Sequence, residues 1–394
     1  MTTISGLEAH GVPVSAIGGP VETRIVVYDV GQLHSLLDSG LDEQGREAHY
    51  QALFEGVATP ADAGAQLAQR ISAHVIGNGE LSAQDQADTA SAFPLTVHVS
   101  AAATPLTVNS RYDLSTPDGS PRIVSFSDVT MEQGGYFVCE STPLIFTCNT
   151  LTRTGNSGTG AADFNILGRA GATPATPLTP GAASQAAAGY GGECSSAGIA
   201  GHGGGPGNPG AAGTPGTAGS PGGQGTPSMQ ATITIQQTLT ASTLTVYSQS
   251  GPGGRGGNGG QGGPGQQGGN GGSGVTCGCT GNAGGQGGDG GNGGPGGAAG
   301  HGGNGVDAAG NVVIRVPTGA DVAKVSYTTA PAPPGAPGTP GPGGSPGTGG
   351  GGGGGGKDNS GGSAGGTGSY GASGAQSQPG TVTGKAAQIA VMPV

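Results

Sequence analysis

Five cysteines offer the most direct chemistry in this chain, because a thiol can act as a nucleophile, a metal ligand or a disulfide partner. They are Cys139, Cys148, Cys194, Cys277 and Cys279. No pair has the Cys-x-x-Cys spacing of a zinc site, and His202 is the only nearby candidate for a fourth ligand. No helix N-terminus or base is predicted beside Cys277 and Cys279 to activate a thiolate. The pattern favours disulfides over a redox or metal centre, with five reduced thiols as the alternative.

Histidines and carboxylates cluster in the first 90 residues, where they could serve hydrolysis or metal binding. They are His34, His49 and His74, with Asp42, Glu43 and Glu47. Their spacing matches no catalytic or metal motif, so solvated helix faces explain them better. The run GGGGGGKD (351–358) imitates a phosphate-binding loop, but Asp358 stands where that loop needs Ser or Thr. We therefore predict no catalytic residue, no cofactor and no metal site.

Charge and hydropathy argue against two further classes of function. The chain has 394 residues, with 12 Lys and Arg against 23 Asp and Glu, for a net charge of −11. This balance disfavours a nucleic-acid partner. No stretch approaches the roughly 20 apolar residues that span a bilayer, so no membrane span is predicted. The opening residues have neither the basic segment nor the apolar segment of a Sec signal peptide.

Residues 1–90 carry most of the negative charge and are predicted to form a small α/β or α-helical domain. Residues 23–30 have the composition of a strand, and residues 35–57 have helical spacing. Thr59 to Asp62 form a good helix start before an amphipathic run. Because no site is visible here, we interpret these residues as a domain for attachment or self-association.

Glycine is periodic in the last 224 residues, where it makes up one residue in three. It recurs at every third position in 198–225, 253–274, 335–356 and 362–374, and in 281–305 with one lapse at Ala299. Three residues per turn is the polyproline-II pitch, and such a helix has no internal hydrogen bonds, so its amides must bond to neighbouring chains. The pattern favours a polyglycine-II bundle over the alternatives of a disordered linker or a collagen trimer.

Segments of alternating apolar and polar residues flank and separate the glycine-rich stretches, as strands do. Strands are predicted in 94–100, 105–114, 122–131, 135–139, 143–148 and 163–167, and then in 231–250, 311–317, 324–329 and the C-terminal segment 381–394. Short, crowded strands bounded by turns are typical of a β-solenoid or a small sandwich. Residues 91–167 are therefore predicted to be a β-rich domain.

Three glycine-rich excursions leave this β-layer, at 168–227, 251–305 and 331–380. Each contains two period-three arms separated by a break, and the breaks lie at 189–197, 275–280 and 357–360. We therefore predict a mostly β and irregular fold, in which three hairpins with six arms form a polyglycine-II bundle on the β-layer. An arm of about 22 residues would span roughly 70 Å.

The same geometry predicts disulfides. Three cysteines fall at hairpin tips, at similar distances from the β-layer: Cys194, Cys277 and Cys279. Cys194 is therefore expected to bond to one of the other two. Cys139 and Cys148 lie at the ends of neighbouring short strands and are candidates for a second bond.

The doubled runs GGRGGNGGQGGPGQQGGNGGSG and GGQGGDGGNGGPGG resemble the polyglycine-II bundles of T-even-type phage tail-fibre tip adhesins. Residues 168–380 are more weakly similar to snow flea antifreeze proteins and to mycobacterial glycine-rich surface proteins. Residues 1–90 of this chain do not match the PE-type head domain of those mycobacterial proteins. In the adhesins, loops at the far end of the bundle recognise a bacterial surface. The resemblance implies that tip residues contact a surface receptor or glycan, and the candidates are Tyr190, Glu193, Thr276, Thr280, Lys357, Asp358 and Asn359.

Three functions follow from these observations. The preferred one is a non-enzymatic structural or adhesive protein of a cell surface, appendage or virion, with an extracellular location. The second is an ice-binding protein, which would need a flat face of Thr and Ala, whereas the side chains between the glycines are mixed. The third is a β-solenoid enzyme acting on polysaccharides, which would need clustered carboxylates.

Overall fold

The computed structural model describes residues 4–9, 11–15, 19–37, 41–59, 63–158 and 160–394. Its regular structure is mostly strand, with few helices, as predicted. The helices are α1 (Ile4–Ala9), α2 (Val30–Leu37), α3 (Glu43–Phe54), α4 (Ala63–Ile76), α5 (Ala83–Asp88) and α6 (Gly319–Val322), with a 3-10 turn at Thr89–Ser91. Part of the predicted helix start, Pro60 to Asp62, lies outside the described residues.

The strands form two sheets and one small hairpin. The first sheet contains β1 (Val21–Val27), β2 (Leu95–Ala102), β3 (Leu106–Val108), β5 (Arg122–Met131), β7 (Leu144–Arg153), β9 (Ala231–Thr240), β13 (Val312–Val316) and β15 (Ile389–Pro393). The second sheet contains β4 (Arg111–Asp113), β6 (Tyr136–Glu140), β8 (Phe164–Leu167), β10 (Leu244–Gln249) and β14 (Val325–Ala330). The hairpin is formed by β11 (Thr276–Cys277) and β12 (Thr280–Gly281).

From β4 to β10, and again from β13 to β15, consecutive strands alternate between the two sheets. Strand pairing within both sheets is parallel except for β1, which pairs antiparallel with β2. The register places Leu144, Ala231, Val312 and Ile389 side by side on four neighbouring strands. Each glycine-rich excursion leaves from the end of a second-sheet strand and returns to the start of a first-sheet strand.

The hydrophobic core between the two sheets is built around four phenylalanines. Phe126 and Phe146 come from the first sheet, and Phe137 and Phe164 come from the second. The rings of Phe137 and Phe164 stack at 5.0 Å, and Phe146 meets Phe164 edge-on at 5.1 Å. Because side chains alternate along a strand, the opposite face of the first sheet is left to be covered by other elements.

The N-terminal residues cover that opposite face. Strand β1 extends the first sheet through seven residue pairs with β2, and Leu33, Ile71 and Val75 pack in one buried cluster with Val99 of that sheet. The predicted strand 23–30 thus starts earlier, at Val21. The pattern in 35–57 belongs to two helices rather than one, because the Asp42 side chain accepts the Gly45 amide at 2.8 Å and starts α3.

Helix α3 is fixed to the first sheet by two buried polar residues. The Asn311 side chain donates to the carbonyl oxygens of Ala52 (3.1 Å) and Glu55 (2.9 Å) at the C-terminal end of the helix. One turn earlier, His49 Nε2 lies 3.1 Å from Thr232 Oγ1 on β9. Burial, and secondarily the nearby charge of Arg315, lowers the pKa of His49 to about 4.

The six arms are irregular segments joined side by side by backbone hydrogen bonds. We define arm 1 as 168–192, arm 2 as 201–226, arm 3 as 251–274, arm 4 as 281–305, arm 5 as 332–356 and arm 6 as 360–384. Each arm from 2 to 6 donates to the arm before it, as Gly257 N donates to Ser220 O (2.8 Å). Arms 1 to 4 also donate to the arm two further along, as Gly256 N donates to Ala336 O (2.9 Å). The donors recur at every third residue along most of arms 2 to 6, whereas arm 1 donates only near its two ends.

The number of glycines per triplet follows the number of neighbouring arms. Arms 3 and 4 each bond to four other arms and carry two glycines in most triplets, whereas arms 5 and 6 have fewer neighbours and mostly need one. A Cβ on Gly256, for example, would approach the Gly300 carbonyl oxygen closer than the 3.0 Å that real Cβ atoms keep. Glycine is therefore required at most of the points where two arms touch, although Asn208, Gln266 and Ala299 also donate between arms.

The remaining position of each triplet tolerates side chains and uses some of them for bonding. Asn258 Oδ1 accepts the Thr339 amide (3.0 Å), and Asn292 Oδ1 accepts the Ser369 amide (2.9 Å), so two asparagines satisfy N–H groups of a neighbouring arm. In arm 5 only one residue in three donates a backbone hydrogen bond to another arm, and the prolines, which lack an N–H, occupy the other two positions of the triplet. They are Pro333, Pro334, Pro337, Pro340, Pro342 and Pro346.

Alanine substitution at two adjacent glycines of arm 5 tests this packing. A Cβ at Gly350 would overlap the Gly269 carbonyl group, whereas at Gly351 its nearest neighbour is the Asn270 side chain at 3.6 Å. We expect Gly350→Ala to lower the free energy of unfolding by about 2 kcal/mol or more. Gly351→Ala, with the same change in unfolded-chain entropy, should be neutral or slightly stabilising. Denaturant titration measures both, and equal effects would contradict the packing.

The buried His49 predicts a pH dependence of stability. Its folded-state pKa of about 4 lies below the ordinary value of 6.5, so the unfolded chain binds the proton first as the pH falls. The free energy of unfolding should therefore decrease between pH 6.5 and 4, with a contribution from His49 of about 3 kcal/mol. Unfolding titrations of the native chain and of His49→Gln should diverge in this window. Parallel pH profiles would show that His49 is not buried as a neutral side chain.

Candidate functional site

The three breaks between arms meet at the end of the bundle that lies away from the sheets. We call residues 189–202, 275–282 and 356–360 the tip cluster. The Asn282 side chain donates to the carbonyl oxygens of Glu193 (3.3 Å) and His202, and the Asn359 side chain donates to Gly281 O at 2.7 Å. The Lys357 amide donates to Thr276 Oγ1 at 2.9 Å. The second predicted tip is therefore in contact with both of the others.

A disulfide joins the first two tips. It connects Cys194 to Cys277, 83 positions apart in sequence, which confirms the predicted bond from Cys194 to one of the two tip cysteines. Cys277 lies on β11 and is buried, whereas Cys279 follows Gly278 in the turn to β12 and remains an exposed free thiol. Gly278 has a φ of +60°, a conformation that suits glycine in this tight turn.

The predicted second disulfide is wrong, because Cys139 and Cys148 are both free and buried. They lie on consecutive strands, but β6 belongs to the second sheet and β7 to the first. Cys139 Sγ instead donates to the Thr142 carbonyl oxygen at 3.4 Å. Burial raises the pKa of Cys139 to about 12 and raises that of Cys148 as well, so neither thiol is reactive.

All seven predicted tip residues are exposed. Tyr190 is 64% exposed and meets the His202 ring edge-on at 5.4 Å. Glu193 Oε2 lies 3.5 Å from His202 Nε2, and both side chains are more than half exposed. Lys357 and Asp358 are exposed at the apex of the third tip, where Asp358 has a φ of +63°. The exposed side chains of the tip cluster thus include an aromatic ring and charges of both signs.

Three of these seven exposed residues also form hydrogen bonds within the tip cluster. Thr276 Oγ1 accepts the Lys357 amide, the Thr280 hydroxyl donates to the Cys277 carbonyl oxygen (3.3 Å), and Asn359 bonds to Gly281. Sequence reasoning missed two residues of this end: Asn282, which is buried and links two tips, and Ile199, which is 60% exposed. Asn282 is preceded by glycine at the start of an arm, but nothing in that pattern distinguishes it from the other asparagines.

A second candidate site is a polar groove of about 630 Å³ on the second sheet. Among the described residues that line the groove, Asp163 is the only carboxylate. It forms an ion pair with Arg153 at 2.8 Å, and both side chains are almost fully buried. Asp163 Oδ2 also accepts the Thr245 amide (2.7 Å). One fully engaged carboxylate does not provide the pair that glycoside hydrolysis uses.

Within the described part of the chain, no group of three or more His, Cys, Asp and Glu residues is arranged to hold a metal ion. No helix in those residues is both long and apolar enough to cross a membrane. Comparison of the chain with protein families, with curated proteins and with solved structures gives no match in any of the three.

Alkylation of the native protein tests the cysteine assignments. Iodoacetamide should modify Cys279 alone, because the other two free thiols are buried and the remaining two cysteines are bonded to each other. A peptide map without reductant should contain the Cys194–Cys277 linkage, and denaturation should expose Cys139 and Cys148 to the reagent. Rapid native labelling of Cys139, or a bond from Cys194 to Cys279, would contradict the structure.

Proposed function

We propose that this chain is a non-enzymatic structural and adhesive protein, which presents the tip cluster at the end of a rigid rod. The rod consists of six polyglycine-II arms in three hairpins. The observation that carries the proposal is the lateral bonding that continues from root to tip: glycine amides from Gly253 to Gly274 donate to arm 5 at every third residue. Such bonding replaces the internal hydrogen bonds that a polyproline-II helix lacks.

The root of the rod is, in this proposal, a β-solenoid. The alternation of parallel strands between two sheets is the arrangement expected when a chain winds in successive coils, and the three hairpins are insertions between coils. Residues 1–90 would serve attachment or self-association, since they carry most of the negative charge and lie on the root.

The partner we propose is a receptor or glycan on a surface, which the exposed part of the tip cluster contacts. The resemblance to T-even-type phage tail-fibre tip adhesins supports this assignment, as does the presence of Tyr190, Glu193, Lys357 and Asp358 on one exposed end. The protein would then be extracellular, on a cell surface or on a virion. The single carboxylate of the polar groove and the mixed side chains between the glycines give the enzyme and ice-binding alternatives no specific support.

Paired alanine variants test the adhesive role. Fluorescently labelled protein is screened against bacterial cells and a glycan array, and binding is then measured for Tyr190→Ala and Lys357→Ala. Because a few anchor side chains dominate most interfaces, each variant should bind about tenfold more weakly or worse. The matched controls are Tyr370→Ala, which removes a tyrosine that is 77% exposed on arm 6, and Lys385→Ala, which removes an exposed lysine near the root.

The controls should bind like the native chain, and all four variants should keep its circular-dichroism spectrum. Equal losses in tip and control variants would show that binding is not located at the tips. Binding that survives both tip substitutions would refute the role assigned to the tip cluster.

A further inference from the structure

A small polar pocket lies on the face of the first sheet that points away from the helices. Its volume is about 210 Å³. The register pairs Arg24 with His98 and His98 with Arg122, so these three side chains form a row across three adjacent strands. The alternating residues Val99 and Ile123 instead pack with the helices. The residues that line the pocket are Glu22, Thr23, Arg24, His98, Val99 and Arg122.

Two buried nitrogen atoms of this row lack hydrogen-bond partners. His98 and Arg122 are each only 7% exposed. His98 Nε2 and Arg122 Nε have no hydrogen-bond partner within the described part of the chain. Asp118 Oδ1 lies 3.7 Å from His98 Nε2, which is beyond hydrogen-bonding distance. Because a buried donor without an acceptor is costly, the pocket favours an occupant that carries acceptor atoms.

Both nitrogen atoms are suited to donate. The Nε of an arginine side chain always carries a proton. A histidine can place its proton on either ring nitrogen, and the carboxylate of Asp118 favours the form with the proton on His98 Nε2. The occupant should therefore accept two hydrogen bonds, from neighbouring positions of two adjacent strands.

The charges around the pocket leave one cation without a counterion. Arg122 Nη2 donates to Glu22 Oε1 at 2.6 Å and also to Ser100 Oγ, so the charge of Arg122 is already balanced. Arg24 is exposed and forms no ion pair with any described residue. A ligand with one negative charge can pair with Arg24. A second negative charge would lie near Glu22 without a counterion, which disfavours a dianion.

A carboxylate meets both requirements, because it has two acceptor oxygens and one charge. One oxygen can accept from Arg122 Nε–H and the other from His98 Nε2–H, and such charge-assisted hydrogen bonds are stronger than neutral ones. If each non-hydrogen atom takes about the 30 Å³ that a water occupies, the pocket holds about seven atoms. This room suits a carboxylic acid of about two to four carbon atoms.

We propose that this pocket binds a short monocarboxylic acid, whose carboxylate accepts hydrogen bonds from His98 and Arg122 and pairs with Arg24. The site lies on the first sheet, away from the tip cluster, and does not depend on the adhesive function. Titration of the full chain with sodium propionate at constant ionic strength should shift the NMR signal of the Arg122 Nε–H group until it saturates. So small a ligand binds weakly, and we expect a Kd of about 1 mM.

Two other ligands test the charge of the occupant. Propionamide has nearly the shape of propionate without its charge, and it should bind about tenfold more weakly or worse, because its hydrogen bonds are not charge-assisted. Sulfate carries a second negative charge, and it should also bind about tenfold more weakly or worse.

Two substitutions locate the binding. Arg24→Gln removes the unpaired charge from an exposed position and should weaken propionate binding about fivefold. His98→Leu removes a donor and should weaken binding about tenfold. The matched control is Arg255→Gln, which makes the same change in net charge at an exposed position of arm 3 and should bind propionate like the native chain. The native chain itself reports the site through the Arg122 signal, without any substitution.

Each result bears on the proposal. A shift that does not saturate, or no shift at all, would show that water alone satisfies the two donors and would overturn the site. Propionamide or sulfate that binds as well as propionate would overturn the assignment of a monocarboxylate. Unchanged affinity in both Arg24→Gln and His98→Leu, with native circular-dichroism spectra, would place the ligand elsewhere.

Discussion

Contact between bare backbones is the constraint on which the glycine-rich half of this molecule depends. Each arm lacks hydrogen bonds of its own, so its amides are satisfied only when a neighbouring carbonyl group comes within about 3 Å, as Gly291 N does with Gln266 O at 2.8 Å. A side chain at that point would separate the two chains. Ordering so much glycine is entropically costly, and dense lateral bonding offsets that cost.

The sheets supply the register that this bonding needs. Strands β8 and β10 pair Leu167 with Gln249, and the same alignment continues beyond the sheet, where Gly168 N donates to Gln249 O and Gly171 N donates to Pro252 O. The pairing of the strands thus fixes the alignment of two arms along their length, starting from the first glycine of each arm. The disulfide between Cys194 and Cys277 fixes two of them again at the opposite end.

Local patterns in the sequence were sufficient to predict a mostly β and irregular fold, most of the strands and the pairing of Cys194 with a tip cysteine. They were insufficient wherever the answer depended on which element lies beside which. Cys139 and Cys148 are near in sequence, but consecutive strands enter different sheets, and no local signal shows this. The burial of His49 against Thr232 likewise depends on a contact between residues 183 positions apart. At the tips, Tyr190, Lys357 and Thr276 are all exposed, and only the hydrogen bond from the Lys357 amide to Thr276 Oγ1 shows that Thr276 links two tips.

The two directions of donation, to the preceding arm and to the arm two further along, also determine how the molecule bears force. The bonds run across the arms, so a pull along the rod shears all the bonds of an arm at once instead of opening them one after another. An inner arm such as arm 3 is held by four neighbours, and detaching one of them leaves it braced by three. Mechanical load applied at the tips is thereby shared over the whole length of the rod.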